Sequence, residues 1–270
     1  VASYQGHKFT LERTLYLDAT LKAGWPQYIQ EKQPGVYDFV EPVVADVDGD
    51  ELKEIIVTVD GDDGRVLTVF RTDGTIAWSR TMPIEGYAAG PMPVVADLDA
   101  DGRPEILVLN EKDKLYVFDG QGNLASNFTQ NPLPLPEQSQ LTMVVADLER
   151  DGLPEILVLG VFYYPGSARR ELHILNNRGI ERRVIVLSQV SHILFAFGSP
   201  WPYPAVGNFD DDADLEIVLA GPSETGKFWN EGMIQIFNID GIPVNFWPVR
   251  TGGMIFSTPS VGDLDHDGRD

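Results

Sequence analysis

An acidic loop that leads directly into an apolar run occurs five times in this chain, and no other feature constrains the fold as strongly. The second copy, "DLDADGRPEILVL", begins at Asp97. The other copies begin at Asp46, Asp147, Asn208 and Asp263, so the intervals between them are 51, 50, 61 and 55 residues. Such regular spacing indicates an array of one structural unit.

Each unit follows the same order of strand patterns. A short apolar segment such as "PVVAD" leads into the acidic loop, and a second segment such as "EILVL" leaves it. A strand, turn, strand pattern follows, as in "LTVFRTDGTIAW", "KLYVFDGQGNLA", "ELHILNNRGIER" and "IQIFNIDGIPVNFW". Glycine in each turn supplies the positive φ of a tight hairpin. The sequence therefore predicts four strands per unit, and "LERTLYLDATLKAGW" is interpreted as a further strand, turn, strand pattern.

Repeated four-stranded antiparallel units predict an all-β fold, a β-propeller with about five visible repeats. A repetitive β-helix is the alternative, although its repeats are usually shorter. Residues 1–270 are interpreted as one propeller domain or segment. Its predicted parts are a partial blade at 1–30, blades at about 31–85, 86–135, 136–195 and 196–250, and a partial blade at 251–270. The two ends are complementary in phase, so the units either close a ring or belong to a longer array.

The acidic loops carry the pattern of a calcium site. Carboxylates at loop positions 1, 3 and 5 converge, and such close like charges are unfavourable without a cation. Several hard oxygen donors suit calcium, so four to five calcium sites are expected. The predicted side-chain ligands are Asp46, Asp48, Asp50 and Glu54; Asp97, Asp99, Asp101 and Glu105; Asp147, Glu149, Asp151 and Glu155; Asn208, Asp210, Asp212 and Glu216; and Asp263, Asp265 and Asp267. The carbonyl of Arg103 is expected to be a further ligand that completes the coordination shell of the second site. Solvated hairpin turns are the alternative interpretation.

These loops resemble the FG-GAP repeat, or VCBS-type repeat, of integrin α-subunit propellers and of bacterial extracellular proteins. The resemblance rests on the Asp-x-Asp-x-Asp-Gly-x-x-acid loop followed by Ile/Leu-Val, with "Phe197-Gly198" and "Gly90-Pro91" as fragments of the namesake sequence. It spans nearly the whole chain. It implies calcium in the hairpin between the first two strands of each blade, in most cases within a seven-bladed ring.

The charge balance narrows the partners and the compartment. Forty-one acidic and twenty basic residues give a formal charge of −21, which opposes binding to nucleic acid or to anionic membranes. No apolar run is long enough for membrane insertion. Cytosolic calcium would leave such loops mostly empty, so an extracellular location is expected, secreted or at the cell surface. The sequon at Asn127 is compatible with that location.

A partner is expected on the face opposite the calcium loops. Aromatic side chains with polar edges are common anchors for proteins and sugars. The candidate ligand-binding residues are Tyr163, Tyr164, Phe228 and Trp229, which lie in two long insertions. The alternative is that these rings fill gaps between blades. That role is expected for Trp25, Trp78 and Trp247, which occur at comparable positions late in their units.

The sequence therefore favours a calcium-binding adhesion module for a protein or glycan ligand. The alternative is a catalytic or non-catalytic propeller of a polysaccharide lyase or hydrolase. We assign no catalytic residue, because no nucleophile elbow, phosphate loop or zinc motif is present.

Overall fold

The fold is taken from a computed structural model of the chain. The residues that the structure describes are 2–4, 7–9, 24, 25, 27, 41–60, 64–83, 92–110, 114–136, 138–165, 167–189, 202–222, 231–244, 246–253, 255, 257–264, 269 and 270. In these residues every named element is a β-strand, as the sequence predicts. Among them there is no helix with the length and apolar character needed to cross a membrane.

The strands form four four-stranded antiparallel sheets after a two-stranded hairpin of β1 (Ala2–Tyr4) and β2 (His7–Phe9). The first sheet contains β3 (Val43–Ala45), β4 (Glu54–Asp60), β5 (Arg65–Phe70) and β6 (Ile76–Met82). The second contains β7 (Val94–Ala96), β8 (Glu105–Asn110), β9 (Lys114–Phe118) and β10 (Leu133–Pro134). The third contains β11 (Gln138–Ala146), β12 (Glu155–Tyr164), β13 (Ser167–Leu175) and β14 (Glu181–Gln189). The fourth contains β15 (Ala205–Gly207), β16 (Glu216–Pro222), β17 (Gly232–Phe237) and β18 (Val249–Thr251). Strand order follows chain order in each sheet, which confirms four strands per unit.

The second strand of each unit reads as a continuous apolar run because both of its faces are covered. In β8, Ile106 and Val108 join a core cluster shared with the first sheet. Leu107 and Leu109 point to the other face and join a cluster shared with the third sheet. All four side chains are fully buried. A further cluster joins the third and fourth sheets, so the four sheets pack face to face in chain order.

Turn glycines mark each junction between units. Gly74, Gly122, Gly179 and Gly241 occupy equivalent turns between the third and fourth strands and have φ between 75° and 84°. A Cβ atom on Gly122 would lie 2.6 Å from the Trp78 ring of the preceding sheet. The Trp78 Nε1–H also donates to the Gly120 carbonyl at 2.8 Å.

The same kind of contact is repeated at the other junctions. The Phe128 ring lies against Gly179, and the Ile185 side chain lies against Gly241. Upstream of the first sheet, the Trp25 Nε1–H donates to the Thr72 carbonyl at 3.0 Å. Trp25 and Trp78 therefore pack between units, as the sequence predicts.

The prediction of an immediate fourth strand after the turn is wrong in the second sheet. Leu124 forms only an isolated bridge with Phe118. The paired strand β10 begins later, at Leu133. Between them, the Asn131 side chain takes the place of a strand residue, since it accepts from the Val117 N–H at 3.1 Å and donates to the Val117 carbonyl at 2.6 Å.

The fourth sheet departs from the prediction in a similar way. Pro243 forms an isolated bridge with Phe237, and β18 pairs with β17 only from Val249 onward. Proline has no N–H to donate and cannot sustain a ladder at that point. Trp247 is half-buried beside this segment, and its predicted packing role stays a prediction.

Two other expectations concern residues outside the described part of the chain. These are the strand, turn, strand interpretation of "LERTLYLDATLKAGW" and the roles of Asp265, Asp267, Phe228 and Trp229.

Candidate metal-binding loops

Each of the first four acidic loops connects the first two strands of its sheet. We name them by sheet: the first loop is 46–54, the second 97–105, the third 147–155 and the fourth 208–216. The residue at position 2 is apolar and anchors the loop: Val47, Leu98 and Leu148 are almost fully buried in the clusters between sheets. The acid at position 9 begins the second strand, so strand geometry fixes its backbone.

The position-9 glutamate closes each loop onto position 2. The position-2 N–H donates to the glutamate Oε2 at 3.1 Å in the first loop, 2.9 Å in the second, 3.1 Å in the third and 2.7 Å in the fourth. The four residues concerned are Glu54, Glu105, Glu155 and Glu216, and all are buried.

The position-1 aspartate organises the loop backbone in the first three copies. In the second loop, Asp97 accepts from the Asp101 N–H at 3.1 Å and from the Gly102 N–H at 2.8 Å. Position 6 has positive φ in each of these loops, and Glu51 adopts 68° there although it is not glycine. The first loop thus keeps the turn by placing a side chain in a region that favours glycine.

Carboxylate oxygens converge in three loops of the described chain. In each group the ligand atoms lie within 4.8 Å of one another. The groups are Asp46, Asp48 and Asp50; Asp97, Asp99 and Asp101; and Asp210, Asp212 and Glu216. These oxygen donors have the chemistry that calcium requires.

The fourth loop adds an observation that favours a cation there. Glu216 is completely buried, and its Oε1 has no hydrogen-bond partner among the described residues. The Oδ1 atom of Asn208 is in the same situation. Buried oxygens without partners are costly, and a coordinated cation would satisfy both. The residues present in this loop therefore fit a calcium ion.

Burial and neighbouring acids raise the pKa of the position-9 glutamates. For Glu105 the pKa rises to about 7, chiefly through desolvation and further through the charges of Asp99 and Asp101, against a lowering by the Leu98 N–H. Desolvation also raises the pKa of Glu54 and of Glu216. A bound cation would oppose this trend, since it favours the charged carboxylate.

The third loop has a different electrostatic arrangement. The Arg182 guanidinium donates through Nη1 to Glu149 Oε2 at 2.5 Å and to Glu155 Oε1 at 2.8 Å. A further bond runs from Nη2 to Glu149 Oε1 at 3.1 Å. Hydrogen bonding to Arg182 lowers the pKa of Glu149. The acids of this loop form no convergent metal group within the described residues.

Sequence reasoning missed three residues that contact the loops. Arg182 is one. Asn127 is another, because its Nδ2 donates to Asp99 at 2.6 Å, so the sequon side chain contacts the second loop. The third is Asp270, which accepts from the Asn208 N–H at 2.9 Å. None of them lies within its partner loop in sequence. Arg182 could have been found by aligning the turns of the units, because the other three units have Ala77, Ala125 and Val244 at its position.

The predicted ligand-binding tyrosines lie at the end of β12 that is remote from the third loop. β12 starts at Glu155 and ends at Tyr164, so about 30 Å of strand separates the two ends. Both tyrosines are half-buried. The Tyr164 hydroxyl donates to the buried Glu171 at 2.6 Å, and the Arg169 guanidinium lies over its ring.

Four-stranded sheets that each carry an acidic loop between strands one and two define a class of β-repeat protein. The sequence model of the FG-GAP-like repeat matches this chain twice, at residues 46–108 and 97–158. Each match starts at position 1 of an acidic loop. The chain therefore carries FG-GAP-like repeats, which confirms the resemblance.

Among solved structures, the V. cholerae biofilm matrix protein Bap1 is similar at 22% sequence identity and a TM-score of 0.39. The alignment covers 78% of this chain and 39% of Bap1, so the chain spans about two fifths of the length of that protein. The search of curated proteins finds no match.

Proposed function

We propose that this chain is an extracellular, calcium-binding β-propeller that serves as an adhesion module for a protein or glycan. The observation that carries the proposal is that acidic oxygens converge within 4.8 Å in the equivalent loops of three repeat units. Unpaired carboxylates at that separation repel one another, and a divalent cation reverses the sign of the interaction. The metal would be held by the first, second and fourth loops.

The packing order of the sheets supports the propeller. Three core clusters join sheet one to two, two to three and three to four. Four-stranded sheets that pack face to face in chain order are the arrangement that a propeller requires of its blades. The neighbouring loops lie side by side: the Leu215 N–H of the fourth loop donates to the Leu148 carbonyl of the third at 2.7 Å.

Calcium would then stabilise the fold. A ligand that binds only the folded state adds RT ln(1 + [L]/Kd) to the free energy of unfolding. With a Kd of roughly 10 µM, millimolar calcium contributes about 2.7 kcal/mol per site. Micromolar or lower cytosolic calcium would contribute little, and this difference supports an extracellular location.

The ligand face would lie at the opposite end of the sheets, around Tyr163, Tyr164, Phe228 and Trp229. The long β12–β13 hairpin supports this assignment, because it carries two adjacent tyrosines away from the acidic loops. The excess of acidic residues favours a neutral or basic partner over an anionic one.

Thermal melting of the whole chain in 1 mM calcium and in excess EGTA tests the metal. We expect calcium to raise Tm by at least about 10 °C, since about 1 kcal/mol corresponds to 2–4 °C in a domain of this size. Magnesium at the same concentration is the control for nonspecific screening. Superimposable curves in calcium and EGTA would contradict the proposal.

Retention on protein and glycan arrays in calcium tests the ligand face. Replacing Tyr163 and Trp229 together by Ala is expected to abolish retention without lowering the calcium-bound Tm by more than a few degrees. Phe246→Ala removes a ring that is 97% exposed near the acidic-loop end of the fourth sheet and is the matched control. Equal loss in both variants would argue against the assigned face.

A further inference from the structure

A single residue distinguishes the third sheet from the other three at one position of the repeat. The turn between strands three and four begins at Arg71, Asp119, Asn176 and Asn238 in sheets one to four, and the position lies six residues further along. It is occupied by Ala77, Ala125, Arg182 and Val244 in sheets one to four. Only the third sheet places a cation there.

Ala77 and Arg182 occupy equivalent positions in the structure as well as in the sequence. In the first sheet, Ala77 falls at a β-bulge between the pairs Val69↔Trp78 and Phe70↔Ile76. In the third sheet, Arg182 falls at a bulge between Ile174↔Arg183 and Leu175↔Glu181. A bulge redirects the side chain that it inserts. Both side chains are therefore directed from the same point of the repeat.

What surrounds that point differs between the two sheets. In the first sheet, Ala77 borders a cavity of 410 Å³ that is also lined by Asp48, Asp50 and Glu54 of the first loop. Arg71 lines it too, but its guanidinium donates to the Ile76 carbonyl at 3.4 Å and not to a carboxylate of the loop. In the third sheet, the Arg182 guanidinium reaches the acids at the corresponding loop positions 3 and 9. The Arg182 guanidinium thus pairs with two carboxylates of its loop, whereas Arg71, within the described residues, makes no ion pair with the first loop and leaves open space beside its carboxylates.

The third loop carries a matching change. Position 3 is aspartate in the first, second and fourth loops and glutamate, Glu149, in the third. The longer side chain presents both of its oxygens to the guanidinium, in the paired geometry that makes arginine–carboxylate contacts strong. Two acids of the predicted ligand set are engaged by a permanent cation. Of the other two, Asp147 accepts from two loop N–H groups and Asp151 accepts from the Leu153 N–H.

We propose that the third loop is closed by Arg182 and takes no calcium, so that this repeat carries its cation within the chain. The inference rests on the proposed calcium binding of the other loops. It predicts that the third loop keeps its ordered conformation when calcium is withdrawn. The first, second and fourth loops are predicted to lose theirs.

Calcium stoichiometry of the whole chain, measured by titration calorimetry, tests the inference. Glu105→Gln is expected to lower the number of bound ions by one, whereas Glu155→Gln at the matched position is expected to leave it unchanged. Glu149→Gln, at a half-exposed side chain, is a second variant of the third loop; it is expected to fold and to leave the number unchanged. Loss of one ion in Glu155→Gln or Glu149→Gln would overturn the inference.

A gain of binding is the complementary result. The double variant Arg182→Ala, Glu149→Asp restores the residues of the first two sheets and is expected to bind one calcium more than the wild type. Arg183→Ala, which removes a neighbouring arginine paired with Asp240, is the control and is expected to gain none. A folded double variant without an additional ion would overturn the role of Arg182. If the wild type binds no calcium and Glu105→Gln changes nothing, the proposed function fails instead.

Discussion

The second and third acidic loops share the same backbone hydrogen bonds but differ in what surrounds their carboxylates. Both bury a leucine at position 2, and both close through a glutamate at position 9. The second gathers Asp97, Asp99 and Asp101 with no ion pair to a cation in the described part of the chain, whereas the third pairs its acids with Arg182. The loop fold is therefore set by apolar anchoring and backbone capping, and the charge is neutralised separately.

If the other loops bind calcium as proposed, this separation would let a repeat replace its metal ion with an arginine and keep its structure. Charge neutralisation needs one cation near positions 3 and 9, and a guanidinium on the neighbouring bulge supplies it without altering the loop. An arginine–carboxylate pair is independent of calcium concentration, whereas a metal site is not.

The largest expected effect comes from the shared anchors. Leu98→Ala and Leu148→Ala each remove a fully buried side chain, so each is expected to lower the free energy of unfolding by about 2–5 kcal/mol. Chemical denaturation in calcium measures both. Similar losses would show that anchoring is common to the two loops. A difference greater than about 2 kcal/mol would break the comparison, because the two backbones would then depend on their anchors unequally.

Glycine substitutions give an intermediate effect that is expected to be the same in both sheets. Gly122→Ala and Gly179→Ala force a Cβ atom into the ring of the preceding unit at positive φ, at an expected cost of about 2–4 kcal/mol. Gly102→Ala and Gly152→Ala are the matched controls. They have positive φ but open space, so about 1 kcal/mol is expected. Equal melting shifts for turn and loop variants would contradict the packing assigned to the junctions.

The smallest effect is a pH dependence that Tyr164 contributes in the third sheet. Burial and the hydrogen bond to Glu171 raise the pKa of Tyr164 to about 12 from an ordinary value of 10. A raised pKa means that the folded state favours the neutral phenol. The resulting stabilisation is complete below pH 10 and is lost as the pH rises through about 12.

Phenolate absorbance together with circular dichroism measures this effect. The wild type is expected to show one titration above pH 11 that Tyr164→Phe removes. If the difference between the two proteins titrates near pH 10 instead, the buried contact with Glu171 is not present in solution.

The sequence was sufficient for most features that repeat with the unit, although the start of the fourth strand was not among them in the second and fourth sheets. The spacing of the loops, the glycine turns and the runs buried on both faces recur in register, so the four-stranded sheets and the packing of Trp25 and Trp78 could be predicted. Features that occur once could not be predicted by the same reasoning. Asn131 substitutes for a strand residue opposite Val117 through its side chain, and no periodic signal accompanies it. Arg182 lies 27 residues from Glu155, and only the fold brings the two together.

The contact between a turn glycine and the side chain of the preceding unit gives the array a direction. In the described residues, each of the first three sheets places a bulky side chain against a turn glycine of the next sheet, so these three junctions are heterologous and run in one direction. Duplication or deletion of one unit in a gene of this kind would create a junction that already fits. The number of units can therefore change in evolution without the invention of a new interface.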